Sequence, residues 1–512
     1  MQTTGSVPRD PLGPAVERRR FLQIGAATAA LVLGAGLARP AAAAPAGRLV
    51  FANAEPPTAN YWDPAAGFGL VDEQVASLVH DTLLQLDASG AFLPRLATAW
   101  ERTGPTTMRV SLRGDAKFHD GSPVTAEDVA ASWTRLGEGK LAQSITVTPG
   151  ITATVVDAAT VEIATPEPFG PLESALAFVK ILRKADIDAP DNFKQGAMGS
   201  GPYKFVSYRD NDVTLAANPD YWGGAPKIQE VVFRYIEDNQ ARIAALLDGQ
   251  VHILTRVSAE DMSRVEGNAG FGIVKVGPPA QIIAILQHNG PLKDVRLRHA
   301  IAYAVDREAI AQNIMRGVNP VAYSSLPSVA PFYEPLDNRF APDLEKAKSL
   351  VAEAAPDGVT LTMATSTLVP NQLDIDQAIA AFLEQVGIRT EITRLEVGAF
   401  RSSYNQYDIT LNTLASFTND LDFILGLYTG GAGEAIWHFK DQEYETLLAA
   451  ARKAVGDERQ AAITAAAKYL WDNQVTLYLS DEIWYFIVAQ RVQGYRRAPV
   501  VGEILVPAAS VT

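Results

Sequence analysis

The sequence predicts an α/β protein with more than one core, on three observations. Short β-type runs alternate with amphipathic helical runs along most of the chain, the pattern of sheets flanked by helices. At 512 residues the chain exceeds what a single core usually organises, so two or three domains are expected. Beyond the N-terminal leader, no run is apolar and long enough to cross a bilayer.

The elements follow in order. Residues 49–54 form an apolar strand, and residues 71–84 carry apolar positions at helical spacing. Residues 107–112 and 155–165 alternate as strands. Residues 229–235 form a strand that leads into a helix over 239–247. Residues 294–315 hold two successive helices, broken near Asp306. Strands over 360–365, 389–395 and 408–413 are separated by helical runs such as 374–386. Helices over 443–455 and 458–471 then precede strands over 476–479 and 483–489.

The N-terminus reads as a leader outside the fold. Glu17-Arg18-Arg19-Arg20-Phe21-Leu22-Gln23 precedes an apolar run over 24–38, followed by Arg39-Pro40 and the alanines Ala41 to Ala44. A basic start, a short apolar stretch and an A-x-A zone make a cleaved signal peptide over 1–43. The stretch is shorter than the roughly 20 residues that span a bilayer. Arg18-Arg19 with Phe21-Leu22 resembles the twin-arginine export signal; the general secretory route remains the alternative. There is no cysteine. Disulfides, thiolate metal ligands, a cysteine nucleophile and a lipid-modified N-terminal cysteine are therefore excluded. The leader carries five arginines and two acids, so the formal charge of −14 becomes −17 for the exported part. That balance disfavours nucleic acid and anionic membrane as partners and suits a soluble monomer.

The stretch Lys117-Phe118-His119-Asp120-Gly121-Ser122-Pro123-Val124-Thr125-Ala126-Glu127-Asp128-Val129 crowds a histidine, three carboxylates and two hydroxyls together. Its chemistry is structural. Asp120-Gly121 is a turn pair, and Thr125 precedes a helix start whose amide at Asp128 its hydroxyl can cap. The six histidines are scattered, and no H-E-x-x-H, G-x-S-x-G or G-x-x-x-x-G-K-[ST] occurs. Neither an enzyme nor a resident cofactor or metal is expected.

Five stretches together resemble the family 5 extracellular solute-binding proteins, the peptide/nickel class of ABC importers. Leu93-Pro94-Arg95-Leu96-Ala97-Thr98-Ala99-Trp100-Glu101 is similar to P-x-L-A-x-x-W-E. Phe118 to Val129 matches F-H-D-G-x-P-x-T-A-E-D-V. Gly199-Ser200-Gly201-Pro202-Tyr203 matches G-T-G-P-Y with serine for threonine, and Asn218-Pro219-Asp220-Tyr221-Trp222 matches N-x-x-Y-W. Asp294 to Arg307 matches D-x-R-V-R-x-A-I-x-Y-A-I-D-R. The resemblance implies a two-lobed periplasmic clamp with an extra inserted domain and mixed sheets flanked by helices. On that pattern lobe 1 takes 45–85, 196–280 and 489–512, the inserted domain 86–195 and lobe 2 281–488, with crossings near 281–289 and 484–490. It further implies a receptor that closes on a small solute and delivers it to the permease of an ABC importer. A solute sensor without transport and a hydrolase on the same scaffold are the alternatives.

The resemblance also supplies site expectations. In peptide-binding members, a loop after a lobe 2 strand carries an aspartate for the ligand amine, roughly W-x-x-D-x-x-D-P. Here that loop reads Ala415-Ser416-Phe417-Thr418-Asn419-Asp420-Leu421-Asp422-Phe423, which makes Asp420, Asp422 and Phe417 candidates. One aspartate can instead cap the following helix. Tyr61 and Trp62, in Asn60-Tyr61-Trp62-Asp63-Pro64, stand where the family has an L-D-P turn beside the cleft. Dipeptide-type members start the helix before a V-G-[IV] strand with an arginine for the ligand carboxylate. The helix before Val386-Gly387-Ile388 starts Val369-Pro370-Asn371-Gln372-Leu373-Asp374, without one. A short peptide's carboxylate then falls to Arg401 or to helix N-terminal amides, or the ligand is longer or not a peptide. The cargo is a di- or oligopeptide or a peptide-like amine, with an opine, a sugar or a metal chelate as alternatives.

Overall fold

The structure, a computed structural model, describes residues 47–57, 62–67, 69–196, 198–210, 212–277, 280–330, 332–502, 504–506 and 509–511. The expected leader and Tyr61 lie outside them. All the elements below belong to one compact unit, Ala43–Thr512.

Two large sheets organise this unit. The first has seven strands, in the order Phe271–Val276, Trp484–Ala489, Ile253–Leu254, Arg48–Asn53, Glu230–Tyr235, Asp212–Ala217 and Tyr203–Arg209. Its centre is parallel: Arg48–Asn53 runs with Glu230–Tyr235 on one side and Ile253–Leu254 on the other. Leu49 and Phe51 enter one core while Val50 and Ala52 enter another. A strand so buried on both faces is apolar throughout, not alternating, which is why 49–52 reads as an unbroken apolar run.

The second sheet has five strands, in the order Ile388–Arg394, Val359–Thr365, Ile409–Ala415, Ala280–Leu286 and Thr476–Asp481. Val359–Thr365 pairs in parallel with both neighbours, and Ala280–Leu286 is antiparallel to both of its own. The chain passes from the first sheet to the second between Val276 and Ala280 and returns between Asp481 and Trp484. These are two lobes joined by two adjacent crossings.

A four-stranded antiparallel sheet follows the order Ala97–Arg102, Thr107–Leu112, Thr160–Ala164, Thr152–Asp157. The single strand expected over 155–165 is two strands joined by a turn at 158–159. The alternation continues through this tight hairpin, so periodicity alone does not reveal the break. Helix Ala126–Gly137 lies on this sheet with Trp133 fully buried. The helical run expected over 71–84 stops at Val79, where His80 turns extended.

The motif stretches hold the inserted sheet to lobe 1. Asp81 is fully buried and its carboxylate accepts four hydrogen bonds. Arg95 Nε (2.6 Å) and Tyr221 Oη (3.0 Å) donate to Oδ1, and Ser200 Oγ (3.0 Å) and Trp222 Nε1 (3.0 Å) to Oδ2. Three motifs thus converge on one carboxylate. A fourth joins them: the His119 amide donates to the Gly199 carbonyl (2.8 Å), and its ring Nε2 lies 3.0 Å from the Gly201 carbonyl. Gly199 is glycine because a Cβ there would sit 1.8 Å from the Val79 carbonyl oxygen. Downstream, Thr125 caps helix Ala126–Gly137 in a reciprocal capping box with Asp128. The fifth motif forms helices Val295–Ala304 and Arg307–Asn313, and Asp306 breaks the run because its carboxylate caps the second helix at Ala309.

Candidate functional site

A cavity of about 570 Å³ opens between the two lobes at the carboxyl ends of their parallel strands. Lobe 1 contributes Asn53 and Glu55 after its first strand, Glu237 to Arg242 after the Glu230–Tyr235 strand, and Thr255 to Asp261 after Ile253–Leu254. Lobe 2 contributes the segment Thr365 to Asp374 and Arg394. Loops at the carboxyl ends of parallel strands are where open α/β sheets place ligands, and the volume lies in the range of small-molecule sites.

Two residues on this cavity adopt left-handed backbone without being glycine: Arg256 (φ 49°) from lobe 1 and Asn371 (φ 58°) from lobe 2. For arginine that conformation is rare and costs roughly 1–3 kcal/mol. Its side chain is held correspondingly firmly. Nη1 meets Glu55 Oε1 at 3.1 Å, and Nη2 meets Glu482 Oε1 at 2.7 Å and Thr413 Oγ1 at 3.1 Å. The guanidinium also lies 4.8 Å from the Trp484 ring centroid. Burial lowers the Arg256 pKa, but Glu482 and Glu55 more than offset that, so the group is held charged. Glu55 Oε2 receives Arg401 Nη2 at 2.5 Å. The network therefore spans both lobes and the return crossing.

None of the described residues expected at the site lines this cavity. Asp420 is 8% exposed and receives Arg459 Nη2 at 2.7 Å and the Asp422 amide at 2.8 Å. Asp422 receives Arg452 through Nε (2.7 Å) and Nη2 (3.2 Å) and opens the short helix Asp422–Gly426. Phe417 packs edge-on against Phe423, ring centroids 5.5 Å apart, touching the cores of both lobes. Trp62 packs against Phe205 in the lobe 1 core. Arg401 comes nearest, through Glu55. The glycine-rich stretch at 430–433 is the start of helix Gly430–Trp437. Glu55, Arg242, Arg256 and Asn53 were not expected. For Asn53, Glu55 and Arg256 the available signal was their position at or just past the end of a β-type run, in strands that only the assembled sheet shows to be parallel, whereas Arg242 lies inside helix Asn239–Leu247.

Behind the lobe 2 wall, Asp376 on helix Gln372–Glu384 is fully buried, and neither carboxylate oxygen closes a hydrogen bond. Burial pushes its pKa up to about 7, with Thr365 and Gln372 working against that in part. The folded state then holds a proton that the unfolded chain loses near pH 4, so stability falls as pH rises from about 4 to about 7 and levels above. Asp376→Asn should gain melting temperature relative to wild type across that window. A wild-type-to-variant gap that is constant with pH would count against it.

The model of the bacterial extracellular solute-binding proteins, family 5, middle part, matches residues 91–435. The probable peptide ABC transporter periplasmic-binding protein y4tO of Sinorhizobium fredii is 26% identical over 517 residues, covering 91% of this chain and 95% of that protein. The dipeptide-binding protein of Escherichia coli K12 is 24% identical over 450 residues, covering 79% and 83%. Among solved structures, the dipeptide binding protein of Pseudoalteromonas sp. SM9913 with Met-Leu superposes with a TM-score of 0.84. It is 20% identical and covers 91% of this chain and all of that one. The binding protein AgaA of A. tumefaciens R10 with agropinic acid gives 0.80 at 24% identity, covering 91% and 99%.

Proposed function

This chain belongs to family 5 of the bacterial extracellular solute-binding proteins, and from that premise we propose that the cavity between its lobes is where it takes up its cargo. It is the substrate-binding component of an ABC importer: it captures a small solute by lobe closure and hands it to the membrane permease. The observation that carries the reading is a cavity walled by strand ends of both lobes and bridged by Glu55, Arg256, Arg401 and Glu482. A solute entering there contacts two halves between which the chain crosses twice, so its binding energy favours the closed arrangement.

The finer reading is a monomer in the periplasm, exported by a leader cut near residue 43, with the twin-arginine route as the expected path. Its domains are lobe 1, the inserted domain and lobe 2 over the spans given above, except that strand Trp484–Ala489 lies in the lobe 1 sheet and Ala280 in the lobe 2 sheet, so lobe 2 runs from about 280 to about 483. The cargo is a di- or oligopeptide or a peptide-like amine. Asp420 and Asp422 are each paired to an arginine, so the amine is left to the exposed carboxylates at the cavity rim: Glu237, Asp238, Glu260 and Asp374.

Native mass spectrometry on protein purified without refolding tests this. One small solute per chain is expected, and stripping it should change the radius of gyration in solution scattering. Superimposable curves for the stripped and reloaded protein would remove lobe closure from the account.

A further inference from the structure

The cavity is unbalanced in its hydrogen bonding. On the lobe 1 wall the buried oxygens of Glu55, Asp261 and Asn53 are met by the protein itself. Both Glu55 oxygens are taken, by Arg256 and Arg401. Asp261 accepts from Asn239 Nδ2 and from the Ser258 amide and hydroxyl. Asn53 Oδ1 accepts from Thr255 Oγ1, and Asn239 Oδ1 from Arg242 Nη2.

Three buried donors on the same wall are not consumed: Asn53 Nδ2, Arg242 Nη1 and Arg256 Nε have no hydrogen-bond partner among the described residues. Asn53 is 1% exposed and Arg242 7%. A buried donor left open costs about 1–3 kcal/mol, more when charged, so this wall is complementary to acceptor oxygens that the chain does not supply.

The charges identify the acceptor. Arg256 and Arg401 are met by Glu55 and Glu482. Arg242 forms no ion pair among the described residues, and burial lowers its pKa while Asp261 acts in the opposite sense. Arg242 and Asp261 are thus the two buried charges of this wall outside an ion pair, and of the two only the cation keeps an open hydrogen-bonding atom. An open donor on a guanidinium suits an anionic oxygen, and the exposed rim carboxylates together with Asp261 oppose a dianion such as phosphate.

We propose that Arg242, with Asn53 Nδ2 and Arg256 Nε beside it, holds a carboxylate of the solute from lobe 1. This rests on the cavity being the solute site, and it places the carboxylate contact on the lobe opposite the arginine-less start of helix Gln372–Glu384. A guanidinium edge and an amide offer parallel N–H groups to the two oxygens of a carboxylate. Docked on lobe 1, the solute then presents its other end to the segment Thr365 to Asp374 as the lobes close.

The test is a thermal-shift titration with matched probes: di-, tri- and tetra-alanine, the C-terminal amide of each, gluconate against glucose, and inorganic phosphate. At least one acid should bind at least 30-fold more tightly than its neutral counterpart. Arg242→Met should weaken that acid about 100-fold and leave the neutral probe within threefold, and Arg242→Lys should restore part of the preference. The unliganded melting point of each variant is the control for folding.

Acids and neutral counterparts that bind equally would overturn the carboxylate contact and leave the solute site standing. Stabilisation by phosphate alone, or by no acid, would overturn it too. The mass of the co-purified solute then decides separately whether the cavity binds at all.

Discussion

Asp81→Ala should lower the melting temperature by on the order of 10 °C, more than any truncation on the cavity wall. The residue touches no solute. Its removal takes the carboxylate from the guanidinium of Arg95, whose side chain is 7% exposed, and the acceptor from the hydroxyl of Ser200, the phenol of Tyr221 and the indole N–H of Trp222. Leaving a buried charge without its partner costs about 3–5 kcal/mol, and about 2–4 °C per kcal/mol is typical for units of 150–250 residues. Arg95 retains its contacts to the carbonyls of Ser77 (3.2 Å) and His80 (3.3 Å), so part of the loss is recovered. If the variant does not accumulate, Ser200→Ala, Tyr221→Phe and Trp222→Phe grade the same node, each at about 1–3 kcal/mol. A melting temperature within about 2 °C of wild type for all four would mean that this carboxylate does not join the inserted sheet to lobe 1.

That node also explains why the fold was legible and the site was not. The motif residues Arg95, Ser200, Tyr221 and Trp222 lie far apart in the sequence and meet at one buried atom pair. Their types are fixed by that meeting, so they mark the architecture wherever it occurs, and they say nothing about cargo. Elements were readable where one face is buried, as in the strand at 49–52 and the helices that Thr125 and Asp306 cap. The two strands at 152–157 and 160–164 merged because alternation survives a two-residue turn. The cavity wall was unreadable for a different reason. Arg242 is an ordinary-looking residue in a helix, and only the assembled fold shows that Asn239 satisfies its Nη2 while, among the described residues, nothing satisfies its Nη1. Conversely, Asp420 and Asp422 stood out as acids in a short loop. Their partners Arg459 and Arg452 lie some thirty to forty residues further on, within a different helical run each.

Those two pairs supply the second large effect. Asp420→Ala leaves Arg459, 6% exposed at its side chain, without a counter-charge and should cost about 3–5 kcal/mol. Asp420→Ala combined with Arg459→Met should recover most of that, because an apolar side chain of similar length fills the space without needing a partner, and buried ion pairs are often replaceable in this way. The pair of variants separates two roles that a single substitution confuses. An aspartate that serves only to neutralise Arg459 predicts a double variant with near-wild-type melting temperature and solute affinity within about threefold. An aspartate that also receives a solute amine predicts restored stability with affinity still lost. The ion pair holds the Asp420 oxygens inside lobe 2, with burial the largest influence on its carboxyl and Arg459 opposing it. The first outcome is therefore the expected one, measured by denaturant midpoint and by titration with the co-purified solute. The second would return the amine contact to this loop and leave the rim carboxylates as solvated surface.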